Sequence, residues 1–221
     1  RTHISDDYLW LPLALCRYVE ASGDTGVLAE TAPFLDGRPL NAHDDSYYDL
    51  PGRSVQSASL YQHAMRAVLY GLRYGAHGLP LMGGGDWNDG MNLVGMQGRG
   101  ESVWLGFFLY DTLVRFGALA EARGDASFAD RCRLEAGLLR ANLDKHGWDG
   151  GWYRRAYFDD GTPLGSSTNA ECQIDSIAQS WSVLSGAGDA ARSRMAMAAL
   201  DQRLVRRDLG LIQLLDPPFD K

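Results

Sequence analysis

The residues most able to do chemistry in this chain lie in Gly83-Gly84-Gly85-Asp86-Trp87-Asn88-Asp89-Gly90. Two carboxylates, an indole and an amide occupy four consecutive positions, with glycines on both sides. Glycine permits backbone dihedrals that other residues avoid and lets a ligand approach closely. Three consecutive glycines would each cost a helix about 1 kcal/mol against alanine, so the segment reads as a loop. An aromatic plane beside acids suits sugars: the ring stacks on the C–H face of a pyranose while carboxylates bind hydroxyls or move protons. A carboxylic acid in a partly apolar site beside an indole can hold its proton and serve as general acid, which makes Asp89 and Asp86 the first candidates. Turn-forming Asp and Asn explain the same residues without any chemistry. Calcium is disfavoured, because the loop lacks the alternating oxygen ligands and distal Glu of an EF-hand.

A second polar cluster, Arg1-Thr2-His3-Ile4-Ser5-Asp6-Asp7, precedes an apolar helical pattern. Its arginine and carboxylate could clamp hydroxyls or an anion; Ser5 or Asp6 also reads as a helix cap. His77-Gly78-Leu79-Pro80-Leu81 leads into the glycine loop, and His77 alone reads as a structural partner. Glu101 opens a long helix, where the helix dipole is enough to account for it. Trp152-Tyr153-Arg154-Arg155 and Glu171-Cys172-Gln173-Ile174-Asp175 are stretches that could face a cleft. No GxSxG, HExxH or Walker-type pattern occurs, and no metal site is expected.

The elements that must position these residues are mainly helical. Periodicity predicts helices from Asp6 or Asp7 to about Ser22, from Thr25 to Phe34, from Ser57 to Tyr74 and from Ser102 to Arg123. Others fit 126–145, 170–185 and 189–205, with loop over 36–55 and a short strand or hairpin near Trp152 to Phe158. The 102–123 helix is apolar nearly all round and should be buried. Ser22-Gly23-Asp24, Arg123-Gly124-Asp125 and Ala187-Gly188-Asp189 each place a glycine after one helix and an aspartate before the next. They predict three tight helix–helix hairpins. Together these features predict an all-α chain, a toroid of helical hairpins whose long loops line a cleft at one rim.

The totals exclude several classes. The 221 residues are 45% hydrophobic, enough for a globular core, and carry 21 basic against 28 acidic residues for a formal charge of −7. The absence of a basic run argues against nucleic acid as a partner. Three widely spaced cysteines argue against a disulfide framework and fit a reducing, cytoplasmic compartment. No run of about 18 uninterrupted apolar residues marks a membrane span.

In order, Arg-Thr-x-x-Ser-Asp-Asp-x-Leu-Trp-Leu-Pro at 1–12, His-Gly-Leu-Pro-Leu at 77–81, Gly-Asp-Trp-Asn-Asp-Gly-Met-Asn-x-Val-Gly at 85–95 and Gly-Glu-Ser-Val-Trp-Leu at 100–105 form a set. The set resembles the inverting glycoside phosphorylases of glycoside hydrolase family 94, the cellobiose and chitobiose phosphorylases. Within that family it is similar to the phosphorylase-like domain at the C-terminal end of cyclic β-1,2-glucan synthases. Residues 152–161 and 174–181 fit the same group, so the resemblance covers essentially the whole chain.

The resemblance implies an (α/α)6 barrel, incomplete here, with long functional loops and one short β-hairpin. It implies reversible phosphorolysis of a β-glucosidic bond in a β-glucan oligosaccharide. Inorganic phosphate would be co-substrate, α-glucose 1-phosphate the product or donor, and no cofactor would be needed. Asp89 would be the general acid; Arg1, Asp7, Trp87 and Asp175 would bind substrate; Asp86, Asn88 and Glu101 would support them. An inverting hydrolase needs a base as well as an acid, about 6.5–9.5 Å apart, whereas phosphate attacks as an anion. The resemblance further implies a phosphate-binding histidine and Ser/Thr turn downstream, and an N-terminal β-sandwich upstream. Neither is in this sequence, so the expectation is a piece of one barrel domain, inactive alone, whose parent is anchored at a bacterial inner membrane. A hydrolase on the same barrel, with Glu101 or Asp175 as base, and a non-catalytic glucan-binding domain are the alternatives.

Overall fold

A computed structural model describes residues 2–41, 44 and 46–220, the side chain of Asp89 excepted. Among these residues it contains six α-helices: α1 (Trp10–Ser22), α2 (Leu60–Gly71), α3 (Val103–Ala122), α4 (Ala126–His146), α5 (Ser176–Leu184) and α6 (Ala190–Leu204). Each of α2 to α6 opens on a side-chain cap. Ser59 forms a reciprocal capping box with Gln62 at α2. Ser102, Asp125, Asp175 and Asp189 accept backbone N–H groups at α3, α4, α5 and α6. Such caps satisfy donors that the first turn leaves orphaned.

Helix α3 is the centre of the core. Trp104, Phe107, Phe108, Leu109, Leu113 and Phe116 are all buried, and α3 packs against α4, α1 and α5. Its length and apolarity would also suit a membrane span, but 13 of its 20 residues are buried inside the protein. Trp10 of α1 packs on Phe108 near one end of α3, and Glu20 pairs with Arg115 further along both. The two helices therefore run the same way. Helices α4 and α6 return after the short turns 123–125 and 185–189. The starts of α1, α3 and α5 and the ends of α2, α4 and α6 thus share one rim, together with the long loops 72–102 and 147–175.

Two of the three expected helical hairpins are present. Gly124 is left-handed at φ 88° and Asp125 caps α4. At 185–189 the left-handed residue is Gly186 rather than Gly188. The first joint differs. Gly23 ends α1 at φ 71°, but Asp24 accepts from Gly26 N–H where only a 3-10 turn, Gly26–Ala29, begins. The chain then enters β1 (Thr31–Asp36), which pairs antiparallel with β2 (Gly52–Ser59). The helix expected over 25–34 and the continuous loop over 36–55 are both corrected by this ribbon. Its alternating Thr31, Pro33 and Leu35 face solvent, so the period is two rather than 3.6.

Strand is also more extensive than one hairpin. β3 (Glu101–Ser102), β4 (Ala156–Tyr157) and β5 (Pro163–Leu164) form a three-stranded sheet in that order. β6 (Ile174–Asp175) pairs with β9 (Leu215–Asp216), and β7 (Val205–Arg206) with β8 (Leu211–Ile212). Each of these strands has only two residues, too short for alternation to stand out in sequence. The strand at β6 also shortens the helix expected from 170, which starts at Ser176.

Candidate functional site

The glycine loop is built onto the start of the chain. Ile4 bridges to Gly83, Gly84 N–H donates to His3 O at 3.0 Å, and Ser5 donates to Gly85 O through both its amide and its hydroxyl at 2.9 Å. Gly83 (φ 64°) and Gly85 (φ 138°) take positive φ. A Cβ on Gly83 would run into the carbonyl oxygen of His3. The glycines are thus required by close backbone approach as well as by the turn.

This contact corrects the cap expected from Ser5 or Asp6. Ser5 spends its hydroxyl on Gly85. Asp6, buried, accepts from the Trp10 indole at 2.9 Å and makes no cap bond at the 3-10 turn Asp7–Leu9 that leads into α1. Burial pushes the Asp6 carboxyl up, the Trp10 bond opposes that, and the charge of Asp86 adds to it. Asp7 is exposed and accepts from the Thr2 hydroxyl at 2.8 Å. It lines a cleft of about 710 Å³ with Thr2, His3, Tyr8, Tyr70, Arg73, Gly83, Gly84 and residues 95–98.

Within the loop, neighbouring residues have opposite environments. Asp86 is fully buried, whereas Trp87 is 49% exposed and stands outside the cleft lining. Asn88 caps the 3-10 turn Asp89–Met91 by accepting from Gly90 N–H at 3.0 Å. Met82, Met91 and Val94 pack with Ala156, Leu164 and Cys172 in a small core beneath. Asp159 holds the far arm: its carboxylate accepts from the amides of Gln97, Arg99 and Gly100, each at 2.8 Å. Burial opposes ionisation there, but these backbone donors outweigh it and keep the carboxyl below its ordinary range.

Beneath Asp86 lies Arg155, also fully buried. Its guanidinium donates to both oxygens of Asp86, at 2.7 and 2.5 Å, and to Ser102 Oγ at 3.2 Å. Ser102 Oγ in turn donates to Asp86 at 2.7 Å and caps α3 through Leu105 N–H. On the other side, Arg155 Nε lies 3.4 Å from Asp175 Oδ2, while Asp175 Oδ1 accepts from Ile177 N–H at the start of α5. Burial pushes the Asp175 carboxyl up to about 6 against the pull of Arg155. One cation therefore joins the loop, the cap of α3 and the cap of α5.

Glu101 does more than complement a helix dipole. It lies on β3, 2% exposed, and its carboxylate accepts from the amides of His77 and Leu79 and meets His77 Nδ1 at 2.5 Å. His77 stacks on Tyr157 at 3.9 Å. On neighbouring residues of one short strand, Glu101 thus fixes the 73–81 turn and Ser102 fixes Asp86, in keeping with side chains that alternate across a strand.

Of the residues expected at the site, Asp7 is brought to the glycine loop across the cleft. Asp86 and Asp175 are joined through Arg155, and Glu101 is joined to His77. Arg1 and the side chain of Asp89 lie outside the described residues. Sequence reasoning named Arg155 only within a stretch that could face a cleft, whereas it is fully buried, and gave neither Arg155 nor Asp159 a role. The alternation read at 152–158 carried a signal for the first, since Tyr153, Arg155 and Tyr157 share a parity and are all buried.

Comparison with known proteins gives the family. The model of the Glycosyl hydrolase 94 superfamily catalytic domain matches residues 1–221. The cyclic beta-(1,2)-glucan synthase NdvB of Rhizobium meliloti (strain 1021) is 46% identical over the whole chain, which spans 8% of that protein's length. The 3-O-beta-D-glucopyranosyl-beta-D-glucuronide phosphorylase of Paenibacillus borealis is 33% identical over 97% of the chain and 26% of its own length. The N,N'-diacetylchitobiose phosphorylase of Vibrio furnissii is 32% identical over 90% of the chain and 23% of its own length. This chain belongs to the glycosyl hydrolase 94 superfamily, as part or all of its catalytic domain.

Proposed function

We propose that the chain carries the acid side of an inverting phosphorolysis of β-glucosidic bonds in β-1,2-glucan. Inorganic phosphate is the co-substrate and α-glucose 1-phosphate the product, or the donor in reverse. The observation that carries this reading is the docking of residues 3–5 against Gly83–Gly85, which sets Asp7 in one cleft with the start of the loop that carries Trp87 and Asp89. In this reading Asp89 protonates the leaving oxygen, Trp87 walls the sugar, and Arg1 and Asp7 bind its hydroxyls. Asp86 and Asn88 hold the loop's shape. The family and its phosphorylase members support phosphate as nucleophile, and the glucan synthase relative supports the β-1,2 linkage. The helix rows α1, α3, α5 and α2, α4, α6 are read as part of an (α/α)6 barrel, and the domain as cytoplasmic.

Burial favours this reading over hydrolysis by either of the two nominal bases. The two nominal bases, Glu101 and Asp175, are 2% and 1% exposed and engaged by His77 and Arg155, so neither is free to activate a water. Incubating the complete polypeptide with β-1,2-glucan, with and without phosphate, tests the proposal. Glucose 1-phosphate formed only with phosphate, and lost in Asp89→Asn, supports it. Free glucose regardless of phosphate defeats it. An unchanged glucan size distribution in Asp89→Asn would favour a binding-only domain.

A further inference from the structure

Arg155 is too costly to be an incidental core residue. A guanidinium taken fully out of water is tolerated only where partners surround it, and here they come from three separate segments: Asp86 of the loop, Ser102 before α3 and Asp175 before α5. Its backbone is equally fixed, since Arg155 N–H donates to Leu164 O at 2.8 Å and Arg155 O accepts from Val103 N–H at 3.1 Å. The planar fork matches the Asp86 carboxylate in a two-point contact, which sets orientation as well as distance. Asp86 passes that orientation on. Its Oδ1 accepts from Asn88 N–H at 3.3 Å, so the same carboxylate grips both Arg155 and the backbone amide of the residue before Asp89. Between this buried anchor and the arm held by Asp159, Trp87 is half exposed, and Leu93 and Met96 face solvent.

We propose that Arg155 is a positioning residue for proton transfer, setting through Asp86 where the Asp89 segment stands relative to the leaving oxygen. The proposal rests on the phosphorolysis reading. In that step a phosphate oxygen bonds to the anomeric carbon as the glycosidic C–O bond breaks. The bonding pair stays on the leaving sugar oxygen, which takes the Asp89 proton, and the proton carried in by hydrogen phosphate restores the acid. A β-glucosyl fluoride undergoes the same displacement but departs as fluoride and needs no proton. Misplacing the acid should therefore slow the glucan and spare the fluoride.

The test compares Arg155→Lys, Asp86→Asn and Asp89→Asn in the complete polypeptide, with thermal unfolding followed in parallel. Lysine keeps the charge and removes the two-point fork. The expected result is a kcat on β-1,2-glucan about 100-fold lower for Arg155→Lys, the order of loss that a misplacement near 1 Å produces. KM for phosphate and turnover of β-glucosyl fluoride should change little, and Asp89→Asn should show the same selectivity. Equal loss on both substrates, or no loss on glucan, in a folded Arg155→Lys overturns the proposal and leaves the function standing if Asp89→Asn remains selective. If Arg155→Lys fails to fold, Asp86→Asn decides by the same two-substrate comparison. An Asp89→Asn protein that is fully active on glucan overturns both.

Discussion

The two rims of the helix layer use the same capping chemistry for different ends. At the rim of short turns, Asp125 accepts from Phe128 N–H and Tyr61 OH, and Asp189 accepts from Ala191 and Arg192. Asp189 is exposed and serves its own helix, and the half-buried Asp125 adds a single tie to α2 through Tyr61. At the rim of long loops, the caps Ser102 and Asp175 are buried, and both also face Arg155. A capping side chain there starts a helix and holds a charge under the candidate site. The difference lies in what covers the cap. Long loops exclude water, so the polar groups beneath them depend on protein partners, and through Arg155 those partners become coupled.

The largest effect that would sharpen this contrast is Arg155→Met. It strands Asp86 and Asp175 without their cation, a change expected to cost about 3–5 kcal/mol, measurable by urea unfolding. A loss below 1 kcal/mol would mean the two rims are energetically alike. Next is Glu101→Gln, which weakens charge-assisted bonds to the His77 and Leu79 amides and to the His77 ring. Its cost should be about 2 kcal/mol, with a changed imidazole proton signal for His77 by NMR. At the other rim, Asp125→Ala removes a half-buried cap worth about 1 kcal/mol together with the Tyr61 hydroxyl bond, worth about 1 kcal/mol more. It should lower Tm and leave kcat unchanged; a fall in kcat would show that the rims communicate.

A final contrast is in pH. The Asp175 carboxyl, raised to about 6 in the fold, binds its proton more tightly folded than unfolded. Its contribution to stability therefore falls as pH rises from about 4 through 6. Asp159, held low by backbone donors, acts oppositely: its contribution is present at neutral pH and is lost as acid protonates it. Urea midpoints at pH 4.5 and 7 for wild type and Asp175→Asn isolate the first term. The variant should lose less stability than wild type between the two pH values, and an identical pH dependence would contradict the assignment.

Much of this architecture was legible in one dimension. The apolar run 103–122 announced a buried helix because its hydrophobic residues leave no polar face, and Arg123-Gly124-Asp125 announced a turn because left-handed backbone and a capping oxygen are local needs. The ribbon of β1 and β2 was not legible: Thr25 to Phe34 contains enough apolar residues for a helix, and only pairing with a strand beyond residue 50 gives the segment period two. The site divides in the same way. The glycine-flanked acids marked the loop, but the order Asp-Trp-Asn-Asp says nothing of which acid faces the core. Glu101 read as a helix-dipole residue because its partners, His77 and Leu79, are more than twenty positions away.

The sequence by itself determined what depends on near neighbours: helix periods, caps, the glycine turns and the motif set that places the chain in its family. Tertiary structure alone decided that Asp86 is buried and Trp87 half exposed, and that Arg155 unites residues 86, 102 and 175. The physical reason is desolvation. Whether a charged side chain is costly, and which partner it must find, depends on what packs over it, and those atoms come from distant parts of the chain.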